Sequence, residues 1–262
     1  MAPDSRSVLA RPGADPDAVV RYGDSPDHLV DVHLPSGAAR PCPLLVLWHG
    51  GFWRQEYDRR HTRPMAGALR EAGFAVATPE YRRTGRDGGW PATFDDVAAV
   101  RKRLPGLLRD VAPGRVAAGP VTLVGHSAGG QLAIWWALTA EDPESVRGVV
   151  ALAPVANLSR AHAERLDGGA VAALMGGSPR RHPDRYDIAD TARLLGRPNR
   201  PPITVLHGSA DAQVPVTHSR ALPGVSYLEL PGIDHFALID PLSAAWPRVL
   251  DALRSAPPVS AG

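Results

Sequence analysis

Short apolar, β-branched runs recur along the chain, each closed by a glycine-rich turn and followed by a stretch that reads as helix. The clearest runs are Leu44–Trp48, Ala75–Thr78, Val121–Val124, Val149–Leu152 and Ile203–Leu206, with a further one over Ser226–Leu230. Uniformly apolar runs suit strands covered on both sides, and their alternation with helices predicts an α/β fold: a mostly parallel sheet with helices on both faces. Val19–Tyr22 and Leu29–Leu34 instead alternate apolar and polar residues, as half-exposed strands do, and are expected as an antiparallel hairpin at one edge. That makes a sheet of about eight strands. Helices are expected at about 60–72, 92–104, 128–140, 216–222 and 242–254, and Pro105, which lacks an N–H, should end or kink the second.

Residues 155–200 break the rhythm. Gly168-Gly169, Gly176-Gly177, several prolines and many charges lie between two core strands, so this segment reads as an insertion of short helices over the sheet edge, either a small lid or padding. The tails 1–16 and 255–262 contain proline and serine and are expected to be loosely held. A length of 262 residues suits one α/β domain, with its core at about 18–254.

Charge narrows the function classes. The net charge is +2, and basic and acidic residues are interspersed, so no concentrated basic face exists to attract nucleic acid or an anionic membrane. Nearly all the basic residues are arginine, with Lys102 the sole lysine, a bias that carries no functional weight. Cys42, the single cysteine, cannot form an intrachain disulfide and reads as a packed residue compatible with a reducing cytoplasm. The first 20 residues lack the apolar core of a signal peptide, and nowhere do 18 apolar residues run together, so a cytoplasmic, membrane-free protein is expected. The histidines are scattered without paired Cys/His spacing or an H-E-x-x-H helix, and neither a metal nor another cofactor is expected.

The strongest chemical signal is Gly125-His126-Ser127-Ala128-Gly129, a G-x-S-x-G pattern placed between the strand VTLV and a helix candidate, where a nucleophile elbow belongs. A lone serine is a poor nucleophile, so an acid and then a histidine should follow. Asp211, in HGSADAQVP, lies just beyond the strand ITVLHG, and His235, in PGIDHF, lies just beyond the next strand. Placed after successive late strands, both should reach the same sheet edge as Ser127. Asp234 and Asp240 are rival acids, and His207 and His218 are rival bases. His207 follows directly on a buried strand and His218 is expected to face outward, so both rank below His235.

His49-Gly50-Gly51-Phe52-Trp53 follows the strand PLLVLW, where two glycines let backbone N–H groups turn inward. The amides of Gly51, Phe52 and Ala128 are the expected oxyanion hole, each worth roughly 3 kcal/mol of barrier. His49 and His126 read as structural, bonding to nearby backbone. Phe52, Trp53, Tyr81 and Trp90 are placed on the pocket wall, with core packing the alternative for each; Trp135 and Trp136 read as structural, at least one facing the sheet.

With these residues assembled, the chain resembles the α/β-hydrolase superfamily across roughly residues 18–254. HGGFW, GHSAG, DAQVP and the late histidine match together. HGG followed by an aromatic is similar to the hormone-sensitive-lipase-like esterases and, with Trp53, to kynurenine formamidases. Glu80-Tyr81-Arg82-Arg83, Gly89-Trp90-Pro91 and Asp95-Asp96 follow the esterase-side pattern. Phe52 replaces the third glycine of HGGG, and only about 48 residues precede the motif, so the resemblance implies a compact acyl pocket rather than a long lipid channel. It implies a cofactor-free serine hydrolase of small carboxylic esters, or alternatively an arylformamidase or other small amidase. From another class, a non-catalytic ligand-binding module on the same scaffold would be expected to lack a triad member, and none is lacking. Oligomeric state is left open.

Overall fold

The computed structural model describes residues 5–255. Eight strands form one sheet: β1 (Ala18–Arg21), β2 (Leu29–His33), β3 (Leu44–Trp48), β4 (Ala75–Pro79), β5 (Val121–His126), β6 (Val146–Leu152), β7 (Ile203–Gly208) and β8 (Ser226–Leu230). Their order is β1-β2-β4-β3-β5-β6-β7-β8. β1 and β2 pair antiparallel, β2 is antiparallel to β4, and every pairing from β4 to β8 is parallel. The edge hairpin and the mostly parallel eight-stranded sheet are therefore as the sequence predicts, but β2 is buried on both faces, Asp31 and His33 included, rather than half-exposed.

Side chains two apart on a strand share a face, and β3 divides its apolar run accordingly. Leu44, Val46 and Trp48 enter one core, Leu45 and Leu47 the other. The first core lies under α2 (Ala92–Val111), α3 (Ala128–Thr139) and the short helices α4 (Leu158–Ala163), α5 (Leu166–Met175), α6 (Pro183–Ala189) and α7 (Thr191–Leu194). The second lies under α1 (Arg63–Glu71) and the final helix (Trp246–Arg254). α3 is apolar all round and buried from Ala128 through Leu138, as its central position demands. Trp136 packs edge-on against Trp48 of the sheet, while Trp135 meets Phe94 of α2 and donates its indole N–H to Ile188.

Three further expectations change. α2 runs on past Pro105 to Val111 because Leu104 and Leu108 continue the buried face set by Val97 and Val100. The N-terminal tail is held in place over its described part. Residues Ser5–Ala10 form a 3₁₀ turn whose Val8 is fully buried in the second core, and Arg11 pairs with Asp240. Residues 1–4 and 256–262 of the tails lie outside the described residues. His218, in the short turn Thr217–Arg220, is buried rather than outward-facing, with Nε2 2.7 Å from Glu164. Among the described residues no helix is long and apolar enough to cross a membrane.

Candidate active site

Ser127 stands between the end of β5 and the start of α3 at φ 55°, ψ −118°, its amide donating to Leu152 O at 2.8 Å. The turn is possible because the chain packs with no room for side chains behind it. A Cβ on Gly129 would lie 2.1 Å from Trp48 O, and one on Gly125 would lie 2.2 Å from Gly129 O. Ser127 is almost wholly buried, and its Oγ has no hydrogen-bond partner among the described residues.

His235 follows β8 in a turn capped by Asp234, whose carboxylate accepts from the amides of Phe236 and Ala237. His126 holds the same turn from below by donating its Nε2–H to His235 O at 3.0 Å; a carbonyl can only accept, which fixes that tautomer. Burial, reinforced by the adjacent His235, pushes the pKa of His126 well down and keeps it neutral. His235 Nδ1 lies 2.6 Å from Asp211 Oδ2.

Asp211 follows β7. Its Oδ1 accepts from the amides of Gln213 and Val214, both at 2.8 Å, and His207 Nε2 reaches Oδ2 at 3.1 Å. Burial alone would raise its pKa, but hydrogen bonds from His207, His235 and the Val214 amide outweigh it and hold the carboxyl well below its usual range. The rival acids are engaged elsewhere, Asp234 in its cap and Asp240 with Arg11.

Gly51, Phe52 and Trp53 turn the chain through left-handed φ values of 105°, 48° and 57°. A Cβ on Gly51 would lie 2.4 Å from Tyr57, so glycine is required there. The amides of Gly51, Phe52 and Ala128 take no part in the turn, loop and cap hydrogen bonds of the described residues. Behind this loop sits a buried charge cluster. His49 faces Gly50 O and Glu80 Oε1, each at 2.8 Å, and Glu80 also accepts from the Arg59 and Tyr81 amides. Burial opposes ionisation of Glu80, yet His49, Arg83 and the Arg59 amide bring its pKa down to about 2.

Ser127 and His235 share a cavity of about 60 Å³ with Gly51, Phe52 and His126. Of the four residues placed on a pocket wall, only Phe52 lines it. Trp53 and Tyr81 are fully buried in the first core, where Tyr81 donates its hydroxyl to His49 O, and Trp90 packs against Phe94. The wall is completed instead by Arg6, Leu9, Tyr57, His61, Asp167, Gln213 and Phe236. Gln213 and Phe236 neighbour Asp211 and His235, so their sequence position could have signalled them. Arg6 and Leu9 carried no motif. Asp167 enters through a run of left-handed residues that ends in Gly168-Gly169, and Arg54 binds it across the cleft. Leu9, Tyr57 and His61 also border an outer cavity of about 490 Å³.

The BD-FAE family profile matches residues 30–224. The chain belongs to the BD-FAE family. That match contains HGGFW, GHSAG and Asp211 and stops before His235. Two curated proteins of Mycobacterium tuberculosis are similar to this BD-FAE protein: Esterase LipC, 26% identical over 84% of the chain and 60% of the relative, and Esterase LipQ, 28% identical over 75% and 50%. The chain therefore spans only about half to three-fifths of these relatives. Among solved structures, a truncated carbohydrate esterase from gut microbiota superposes with a TM-score of 0.77 at 20% identity, covering 94% of this chain and 98% of the other. Esterase B from Lactobacillus rhamnosis gives 0.76 at 22% identity over 96% and 89%. At these identities the superpositions establish the shared fold.

Proposed function

We propose that the protein is a serine carboxylesterase acting on small esters, with Ser127 as nucleophile, His235 as general base and Asp211 as the acid that orients it. The observation that carries this reading is an unpartnered serine hydroxyl on a strained elbow, facing the same small cavity as a histidine held by a buried, ionised aspartate. Ser127 Oγ attacks the carbonyl carbon while His235 Nε2, on the face opposite its bond to Asp211, takes the hydroxyl proton. The tetrahedral oxyanion is met by the amides of Gly51, Phe52 and Ala128. His235 then returns the proton to the departing alcohol, leaving an acyl-enzyme, and reverses its role to activate the water that releases the acid. No cofactor enters this scheme.

A cavity of about 60 Å³ is far below the roughly 300–1,000 Å³ of sites that enclose drug-sized ligands, which favours short acyl groups. The esterase names of the relatives support an ester over an amide. The test is turnover of aryl esters from acetate to octanoate, with N-formylkynurenine alongside, in the wild type and Ser127→Ala. Short esters cleaved by the wild type alone support the proposal. Faster turnover of N-formylkynurenine than of any ester would make the protein an arylformamidase, and no turnover at all would leave a binding module.

A further inference from the structure

We propose that His207 is a positioning residue for the catalytic pair, directing its Nε2–H toward the Asp211 carboxylate while the Ser219 hydroxyl, donating to Nδ1, holds the ring in that orientation. The inference rests on the triad reading above and concerns a histidine to which that mechanism gives no task.

His207 lies in β7, fully buried, opposite Glu229 of β8. Its Nε2 is 3.0 Å from Val214 O and 3.1 Å from Asp211 Oδ2. The carbonyl can only accept, so Nε2 carries a proton, and that proton lies between the carbonyl and the carboxylate. Nδ1 is 2.6 Å from Ser219 Oγ, and a hydroxyl can donate to it. A proton on Nε2 and an acceptor at Nδ1 thus match the neighbours of the ring.

The consequence falls on Asp211. A carboxylate has about four acceptor positions: the amides of Gln213 and Val214 bond Oδ1, His235 bonds Oδ2, and the His207 Nε2–H, bonded to Val214 O, also lies 3.1 Å from Oδ2. Together these contacts resist rotation of the carboxylate and keep Oδ2 aimed at His235 Nδ1. Removing the His207 donor frees one side of Oδ2 and returns to His235 the part of the negative charge that His207 had drawn off. The other ionisable groups in reach are His126, tilted against His235, and Glu229 and His218, which act on His207 through space. None of them donates to Asp211.

The test is the pH profile of kcat and kcat/KM on a short aryl ester for Ser219→Ala, His207→Phe and His207→Gln, together with imidazole ¹⁵N NMR of the wild type. The NMR should show His207 as the Nε2–H tautomer, whether or not the protein turns over an ester. Ser219→Ala and His207→Phe should lower kcat about 10–100-fold with KM little changed, and should move the acidic limb of kcat/KM to higher pH. His207→Gln, whose amide can still donate toward Asp211, should recover most of the loss. Equal losses in His207→Phe and His207→Gln with the acidic limb unmoved would overturn the proposal and assign His207 to packing. An Nδ1–H tautomer would overturn it as well. If His207→Phe does not fold, Ser219→Ala decides alone: wild-type kcat and an unmoved limb reject the relay. Activity surviving in Ser127→Ala would instead defeat the triad reading and leave the tautomer result standing.

Discussion

Ser127 combines two local costs. Its left-handed φ costs about 1–3 kcal/mol, and its buried hydroxyl lacks a partner, a deficit of similar size. Ser127→Ala keeps the first cost and removes the second, so this variant should melt a few degrees above the wild type, at about 2–4 °C per kcal/mol for a chain of this length. Calorimetry on the two proteins checks this, and a lower melting temperature would mean that the hydroxyl is satisfied in solution. Asp211→Asn tests the acid. An amide facing His235 Nδ1 can present its N–H and select the wrong tautomer, so kcat should fall about ten-thousandfold. His61 makes a prediction about pH. Burial pushes its pKa down to about 4 from the ordinary 6.5, and its Nδ1 has no partner among the described residues. Between those values the unfolded chain binds a proton that the folded protein does not. Stability should therefore fall on acidification across that window, by on the order of 3 kcal/mol. His126 and His33 are displaced in the same direction by burial and add to the slope. His61→Phe should flatten it, as denaturant melts at a series of pH values would show.

The elbow and the HGGFW loop depend on each other, because Gly129 at the start of α3 lies directly against the end of β3. A methyl at Gly129 meets backbone oxygen, which cannot rotate away, so Gly129→Ala should destabilise by about 3 kcal/mol or more and reduce activity further by separating Ala128 from Gly51. Chemical denaturation and ester turnover on that variant measure both effects. Such elements were legible in the sequence for a physical reason: a strand, a tight turn and a helix each impose their own local pattern, and GHSAG carries all three. β3 to β7 announced themselves through largely apolar, buried runs, and β8 and the edge hairpin through alternation. Pro105 misled because its local penalty is outweighed by the buried face of α2, which depends on tertiary contacts. Trp53 and Tyr81 misled because adjacency in sequence fixes the loop but leaves open which side of it a ring enters. His218 misled because Glu164, 54 positions away in sequence, covers it.

At the scale of the whole molecule, the segment before β1 belongs to the site although no motif marks it. Residues Ser5–Ala10 cross from the second core to the cleft at Ser127, with Val8 buried in that core and Leu9 and Arg6 on the cleft wall. Arg6 also lies 5.3 Å from the ring of Phe236, beside His235, and Arg11 pairs with Asp240 beyond the same turn. One short segment is therefore tied to the loop that carries His235 at two points. Val8→Ala removes two buried methylene equivalents and should cost about 2 kcal/mol. If the segment only seals the core, that loss would appear in the melting temperature with kinetics unchanged. The contacts of Leu9 and Arg6 argue for a second effect. Loosening the segment opens the cleft wall and unpins the His235 turn, so KM for short esters should rise and kcat should fall, while the melting temperature of Leu9→Ala drops less than that of Val8→Ala. Measuring both variants separates the two contributions, and wild-type kinetics in Leu9→Ala would remove the segment from the site.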